Sequence, residues 1–305
     1  VESLEMPPEE EVPLNKYKEL YKGLEFCDDI SGAALDKQDL IKARHLEMEF
    51  FKEMGVYTKV PREKWHKVIT TKWVDTNKGD DLNRNYRSRL VGRELNLSKR
   101  DDLFAGTPPL EALRFVLSQC ASNQDSHDSR KNFLIMSSDV SRAYFYAPAT
   151  RPIYIEIPAE DREEGDEGSV GRLNLSLYGT RDAAQNWAKT YTKLMVDNGF
   201  VTGKHSACNF WHPTRDVAVT VHGDDFTAAG REKDLQWLDE VLKSAYKIKT
   251  KFLGPDLKRH DQEIRILNRV ITWNEWGIGY EADQRHAELV VRDLGLENAK
   301  AVSTP

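Results

Sequence analysis

Two aspartates stand side by side in the stretch VAVTVHGDDFTAAG, residues 217–230. An alternating apolar run leads into Asp224 and Asp225 and resumes after them, the pattern of a β-hairpin with the pair at its tip. A two-residue hairpin turn of type II′ wants Gly at its first central position and tolerates Asp at the second, so Gly223 and Asp224 have an ordinary structural explanation. Asp225 has none. A third carboxylate, Asp139, closes the apolar run FLIMSSDV, where a buried unpaired charge is costly. If the two strands are neighbours, three carboxylates converge. Hard oxygen ligands favour Mg²⁺ over zinc, and two ions about 3.5–4 Å apart clamp an in-line phosphoryl transfer.

A second set of ligand-type residues lies in KHSACNFWH, where His205, Cys208 and His212 are close in sequence. Cys/His sets bind zinc, but three ligands along a strand point to opposite faces. Cys208 also suits a small buried hydrophobe.

These residues need a scaffold, and the chain is long enough to build one. Its 305 residues, 39% of them hydrophobic and 10% aromatic, support a sizeable core. No apolar run approaches the roughly 18–20 residues of a membrane span, and no signal-peptide pattern opens the chain. Cys27, Cys120 and Cys208 are odd in number and far apart, which argues for a reducing, intracellular compartment rather than a disulfide framework. The net charge of −6 hides an asymmetry. Residues 1–57 carry 7 Lys/Arg against 14 Asp/Glu, whereas residues 58–100 carry 12 against 5. A basic block between acidic ones fits either a phosphate-facing surface or a solvated, charge-mixed hairpin. The chain starts at Val1 and ends in VSTP, and is expected to be a segment of something longer.

Residues 1–13, acidic and proline-rich, read as a leader. Helical spacing of Leu40, Ala43, Leu46, Phe50 and Met54 predicts a helix ending at Gly55. KVITTKWVDT and NYRSRLVGREL predict a hairpin with Lys78 in its loop. TPPLEALRFVLSQCA predicts a helix with Thr107 as N-cap and the prolines in its first turn. After the strand of Asp139, RPIYIEIP and VGRLNLSLYG predict two strands joined by an acidic loop. A helix with Trp187, Tyr191, Leu194 and Met195 on one face follows, then CNFWH, the aspartate hairpin, and a helix from Arg231 to Tyr246. Short strands and a last helix, ADQRHAELVVRDLGL, complete the chain. This order is that of a split βαβ arrangement, an α+β fold with helices on one face of a sheet.

SSDVSRAYFYAP, SLYGTRDAAQNW, VHGDDF and FLGPD occur in that order, after KWVDTNKGD…YRSRLVGRE and before YEADQRHAELVVRDLGLENAKAVSTP. Together, over roughly residues 40–305, they resemble the reverse transcriptase of copia-type retrotransposons. The resemblance implies a right-hand polymerase fold: a ferredoxin-like palm, β-rich fingers and a partial thumb or connection. The expected divisions are a leader and the start of an N-terminal segment at 1–39, an N-terminal helix and fingers at 40–138, and a palm at 139–253 with a finger insertion at 151–178. Residues 254–305 would begin the thumb or connection, stopping before RNase H. The implied activity is RNA-directed DNA polymerisation with two Mg²⁺, or Mn²⁺, acting on deoxynucleotides and an RNA or DNA template–primer. Integrase and RNase H would lie outside this chain, in the same polyprotein. The expected location is a cytoplasmic particle or the nucleus, neither secreted nor membrane-bound.

By the same resemblance, Asp139 matches the first metal-binding aspartate of the palm, and Asp224 and Asp225 the hairpin pair. Tyr144 matches the aromatic gate that collides with a 2′-hydroxyl, with an ordinary core aromatic as the alternative. Tyr178 and Gly179 match the lining of the nucleotide pocket. Arg87, Arg89 and Lys78 resemble the finger cations that hold the triphosphate, with a solvated strand face as the alternative. Two places depart from the family pattern. His222 and Gly223 replace an aromatic and an aliphatic residue, and Asp182 and Ala184 stand where glutamine and proline are usual. The rival reading is a catalytically inactive remnant that keeps the fold and binds nucleic acid.

Overall fold

The structure, a computed structural model, describes residues 14–79, 83–95, 103, 105–125, 127–128, 132–282 and 284–300. In chain order its elements begin with helices α1 (Leu14–Leu20) and α2 (Lys37–Met54), then strands β1 (Tyr57–Pro61), β2 (Val68–Ile69), β3 (Thr71–Asn77) and β4 (Tyr86–Gly92). Helix α3 (Leu110–Ser122) and β5 (Phe133–Val140) precede β6 (Tyr154–Ile155), β7 (Ser169–Leu173) and α4 (Ala183–Asp197). Next come β8 (Val201–Thr202), β9 (Asn209–His212), β10 (Val217–His222), β11 (Asp225–Arg231) and α5 (Glu232–Ala245). The chain ends with β12 (Ile248–Leu253), β13 (Glu263–Ile266), β14 (Arg269–Asn274), β15 (Gly277–Ala282) and α6 (Gln284–Asp293). This is an α+β fold with antiparallel and mixed sheets. The leader expected at residues 1–13 lies outside the described residues.

The chain divides into two compact units, Val1–Ala105 with Arg142–Tyr191, and Gly106–Ser141 with Thr192–Pro305. In the first, α2 starts where the Asp36 side chain accepts from the Gln38 and Asp39 N–H groups. It stops at Gly55, whose φ of 63° is the left-handed cap that glycine adopts without strain. Its apolar face buries Met48, Phe50 and Phe51 against Phe145, Ile155 and Leu177. A sheet of order β1-β7-β6-β2, with β2 and β6 parallel, and the separate β3–β4 ribbon complete the unit. The ribbon is the predicted hairpin with Lys78 in its loop. Val68 and Ile69, read as part of its first strand, form β2 instead.

The second unit is built on a sheet of order β12-β5-β11-β10-β9-β8. Its strand β5 is apolar at four successive positions, and an uninterrupted apolar run demands cover on both faces. Both are covered. Phe133 and Ile135 pack with Leu113, Val116 and Cys120 of α3 and with Ile264 and Ile271 of the β13–β14–β15 sheet. On the opposite face Thr250, paired with Ser138, donates to Asp239 of α5 at 2.6 Å. The expectation of helices on one face therefore holds for α5 and not for α3. Thr107 is not the N-cap of α3 either. That helix begins after both prolines, with Pro109 at the cap and no side-chain capping bond, because an X-Pro residue is pushed out of helical geometry.

Candidate functional site

The hairpin β10–β11 closes with Gly223 and Asp224 between the paired residues His222 and Asp225. Gly223 has φ 65° and Asp224 is not among the residues of positive φ, which is the type II′ pattern read from the sequence. Nothing lies within 4 Å of a Cβ built on Gly223, so conformation and not space selects glycine there. The Val140 N–H donates to the Asp224 carbonyl at 3.0 Å, which fastens the turn to the end of β5. Further along, β11 and β5 pair antiparallel with Asp225 opposite Asp139. Directly opposed residues share a face of the sheet.

The register thus brings the three carboxylates together. Each offers an oxygen within 4.8 Å of the others, with Asp139 exposed and Asp224 and Asp225 half-buried. Burial, reinforced by the negative charges of Asp224 and Asp139, pushes the Asp225 carboxyl from 3.8 up to about 6. An all-oxygen donor set that resists its own ionisation is chemically matched to a hard divalent cation, which would reverse that penalty. The residues present fit Mg²⁺ or Mn²⁺.

Two neighbours of this cluster were not legible in the sequence. Lys249 on β12 stands opposite Asp139 on its other side, and it is exposed. Nothing in the sequence announces that register. A cleft of about 230 Å³ adjoins Asp225, lined by Pro108, Pro109, Thr220, His222, Thr227 and Leu267 among others. The prolines read as a helix start therefore also form a wall beside the carboxylates.

The residues expected to hold a nucleotide fall in the first unit. Tyr144 rides on a 3₁₀ turn, Ala143–Tyr146, and its ring stacks on Tyr178 with centroids 4.4 Å apart. The Arg89 guanidinium lies 5.2 Å from the centroid of the Tyr178 ring. Arg87 and Arg89 alternate with Ser88 and Leu90 along β4, so both arginines are exposed while the intervening side chains are buried. Lys78 is exposed in the ribbon loop, and its N–H donates to the Asn85 carbonyl at 2.9 Å. Gly179 has φ 82°, and a Cβ there would sit 2.0 Å from the Gly92 carbonyl oxygen, so only glycine permits this approach to the end of β4. Tyr144, Tyr178 and Arg89 are brought together as one stack, and Arg87 shares the outer face of the ribbon with Arg89.

Asp182, one of the departures from the family pattern, has a structural occupation. Its buried carboxylate accepts from Arg151 at 2.9 and 3.1 Å, and Arg151 also donates to Glu94 at 2.6 Å. The zinc alternative does not assemble. Cys208 is buried and donates to the Gly106 carbonyl, and His212 is buried against Phe200 and Trp237. Among the described residues, the three aspartates form the one group of His, Cys, Asp or Glu placed to share a metal ion.

A sheet that carries an aspartate hairpin against a third aspartate defines an acidic, metal-competent site on an α+β fold. Residues 54–305 match the family described as Reverse transcriptase (RNA-dependent DNA polymerase), and the chain belongs to that family. It is 25% identical over 279 residues to the Retrovirus-related Pol polyprotein from transposon TNT 1-94 of Nicotiana tabacum, which bears out the resemblance to copia-type elements. That match covers 88% of this chain and 20% of the relative, so the chain spans about a fifth of the length of its curated relative. Among solved structures, it is similar to a foamy viral protease–reverse transcriptase in complex with double-stranded DNA. The TM-score is 0.45 at 13% identity, over 87% of this chain and 37% of that one. It is also similar to a truncated apo telomerase from Candida tropicalis, with a TM-score of 0.44 at 9% identity over 84% and 63% of the two chains. Neither likeness reaches a TM-score of 0.5, and neither speaks to function. No helix among the described residues is long and apolar enough to cross a membrane.

Proposed function

We propose that the chain is an RNA-directed DNA polymerase, extending a primer by transfer of a nucleotidyl group from a deoxynucleotide. The carrying observation is the convergence of Asp139, Asp224 and Asp225 within 4.8 Å, on a chain of the reverse transcriptase family. In the reaction the primer 3′-oxygen forms a bond to the α-phosphorus, the bond to the bridging oxygen breaks, and pyrophosphate leaves. Two Mg²⁺ bound by the three carboxylates would activate the attacking oxygen and neutralise the leaving one. Asp224 and Asp225 contribute through a turn and a strand already fixed by the sheet, so little reorganisation is needed when charge develops.

In this reading Tyr144 is the sugar gate, Tyr178 and Gly179 line the nucleotide pocket, and Arg87, Arg89 and Lys78 hold the triphosphate. Residues 40–138 supply the N-terminal helix and fingers, 139–253 the palm and its finger insertion, and 254–305 the start of a thumb or connection. Template and primer are held chiefly through backbone phosphates, so binding is sequence-tolerant and falls steeply with salt. Integrase and RNase H partners in a polyprotein, and residence in a cytoplasmic particle or the nucleus, belong to the same proposal.

The inactive-remnant reading is favoured by one observation, the engagement of Asp182 with Arg151 where the family usually places a glutamine. Primer extension on poly(rA)/oligo(dT) with Mg²⁺ decides between the two. Extension supports the polymerase, and tight template binding without extension supports the remnant.

A further inference from the structure

The turn that carries Tyr144 is linked to Glu47, a residue outside the matched family segment. The link runs through Arg142, at the N-cap of that turn, which has φ 54° and ψ 48°. A residue with a Cβ enters this left-handed region only when its surroundings over-determine it. The surroundings are specific. The Arg142 Nε donates to Glu47 Oε2 at 2.6 Å, and its guanidinium lies 4.2 Å from the centroid of the Phe50 ring. Glu47 stands on α2, one turn before Phe50, and is 1% exposed.

A carboxylate so deeply buried is expensive, and more so because its Oε1 has no hydrogen-bond partner among the described residues. Burial pushes the Glu47 carboxyl up, and the positive charges of Arg142 and of Arg89 act against that rise. Arg89 is the cation over Tyr178, whose ring stacks on Tyr144. The carboxylate is bonded to one arginine, two residues before Tyr144 in the chain, and a second arginine lies against the other ring of the tyrosine pair.

We infer that Glu47 is a positioning residue for sugar discrimination, fixing the plane of the Tyr144 ring by holding Arg142 in its left-handed conformation. This rests on the polymerase reading and on Tyr144 as the gate. Glu47 precedes residue 54, where the family match begins, so nothing in that match assigns it a role.

The test uses the full chain with Glu47→Gln, Arg142→Ala and the double variant. Glu47→Gln keeps size and an acceptor but removes charge, and Arg142→Ala removes the partner while leaving a Cβ in the left-handed region with no ion pair to hold it there. Single-nucleotide incorporation of dTTP and UTP on primed poly(rA) with Mg²⁺ gives the ratio of the two kcat/KM values. Each single variant lowers the preference for dTTP by roughly tenfold, as a small misplacement of a positioning group does. The double variant is no worse than either single one. Template–primer Kd is unchanged.

Hydrogen exchange on the nucleotide-free protein reads the turn directly. The Phe145 and Ala147 amides, bonded to the Arg142 and Tyr144 carbonyls at 3.0 Å each, exchange faster in both variants. A wild-type dTTP preference and wild-type protection in both variants, even with a lowered Tm, would show a merely structural ion pair and overturn the inference. If the wild type extends no primer, the polymerase reading falls, and the sugar-discrimination role falls with it. The exchange arm then still decides whether Glu47 holds the turn.

Discussion

Asp139 and Asp225 stand directly opposite one another in the register of two antiparallel strands, on one face of the sheet. A like-charge pair at that position destabilises a sheet by itself. The arrangement persists because the strands are fixed elsewhere, by Ile135 and Ala229 in the core and by the Val140 bond to the turn. The repulsion is thus stored at the site, available to whatever cation enters it.

That stored repulsion has a pH signature. Asp225 titrates at about 6 in the fold against an ordinary 3.8, so between these values the folded state binds more protons than the unfolded one. Stability of the metal-free protein therefore falls as pH rises from about 4 to about 6, and this contribution is level above that. Asp225→Asn removes the slope. Thermal melts in EDTA across this range check it, and a wild-type contribution that rose with pH through the window would contradict the assignment. Added Mg²⁺ raises Tm more at pH 8 than at pH 5, because binding must displace the proton.

On the proposed role of Tyr144 as sugar gate, Tyr144→Ala opens space for a 2′-hydroxyl. Ribonucleotide incorporation rises by roughly tenfold or more relative to deoxynucleotide use, within the span of rate effects set by steric discrimination. Competition between dTTP and UTP measures it. Equal losses for both nucleotides would mean that the ring only packs on Tyr178.

Asp182→Ala leaves Arg151 facing Glu94 alone and removes the acceptor beside Thr150 and Asn186. The expected loss is about 2 kcal/mol or more, read from urea denaturation at pH 7. A change below about 0.5 kcal/mol would show that the pair contributes little. Asp182→Gln, the residue usual in the family, tests separately whether nucleotide KM improves.

Much of this was legible in the residue pattern because local rules and tertiary demands agree. The run FLIMSSDV, the GD turn and the Gly55 stop each specify their own backbone, and each forms as read. What stayed hidden depends on pairing between distant segments. Lys249 comes to stand opposite Asp139 only through a strand register, and Glu47 reaches Arg142 only through the packing of α2 on the Tyr144 turn. The face taken by α3 was hidden for the same reason, since periodicity shows that β5 is apolar on both sides but not which helix covers which. The sequence shows Asp182 only as a departure from the family pattern, because its partner, Arg151, lies on a different segment.

The measurement closest to the central claim is primer extension by wild type and Asp224→Asn, run beside template–primer binding. Asparagine keeps the size and turn tolerance of the side chain but removes the charge that would hold a cation. The hairpin survives with little change in metal-free Tm, and template–primer affinity is retained because Lys and Arg carry it. Extension by the variant falls by roughly 10²–10³-fold or more relative to wild type, because a charge that stabilises the transition state is gone. If both proteins bind template–primer yet extend it equally poorly, the polymerase account is contradicted.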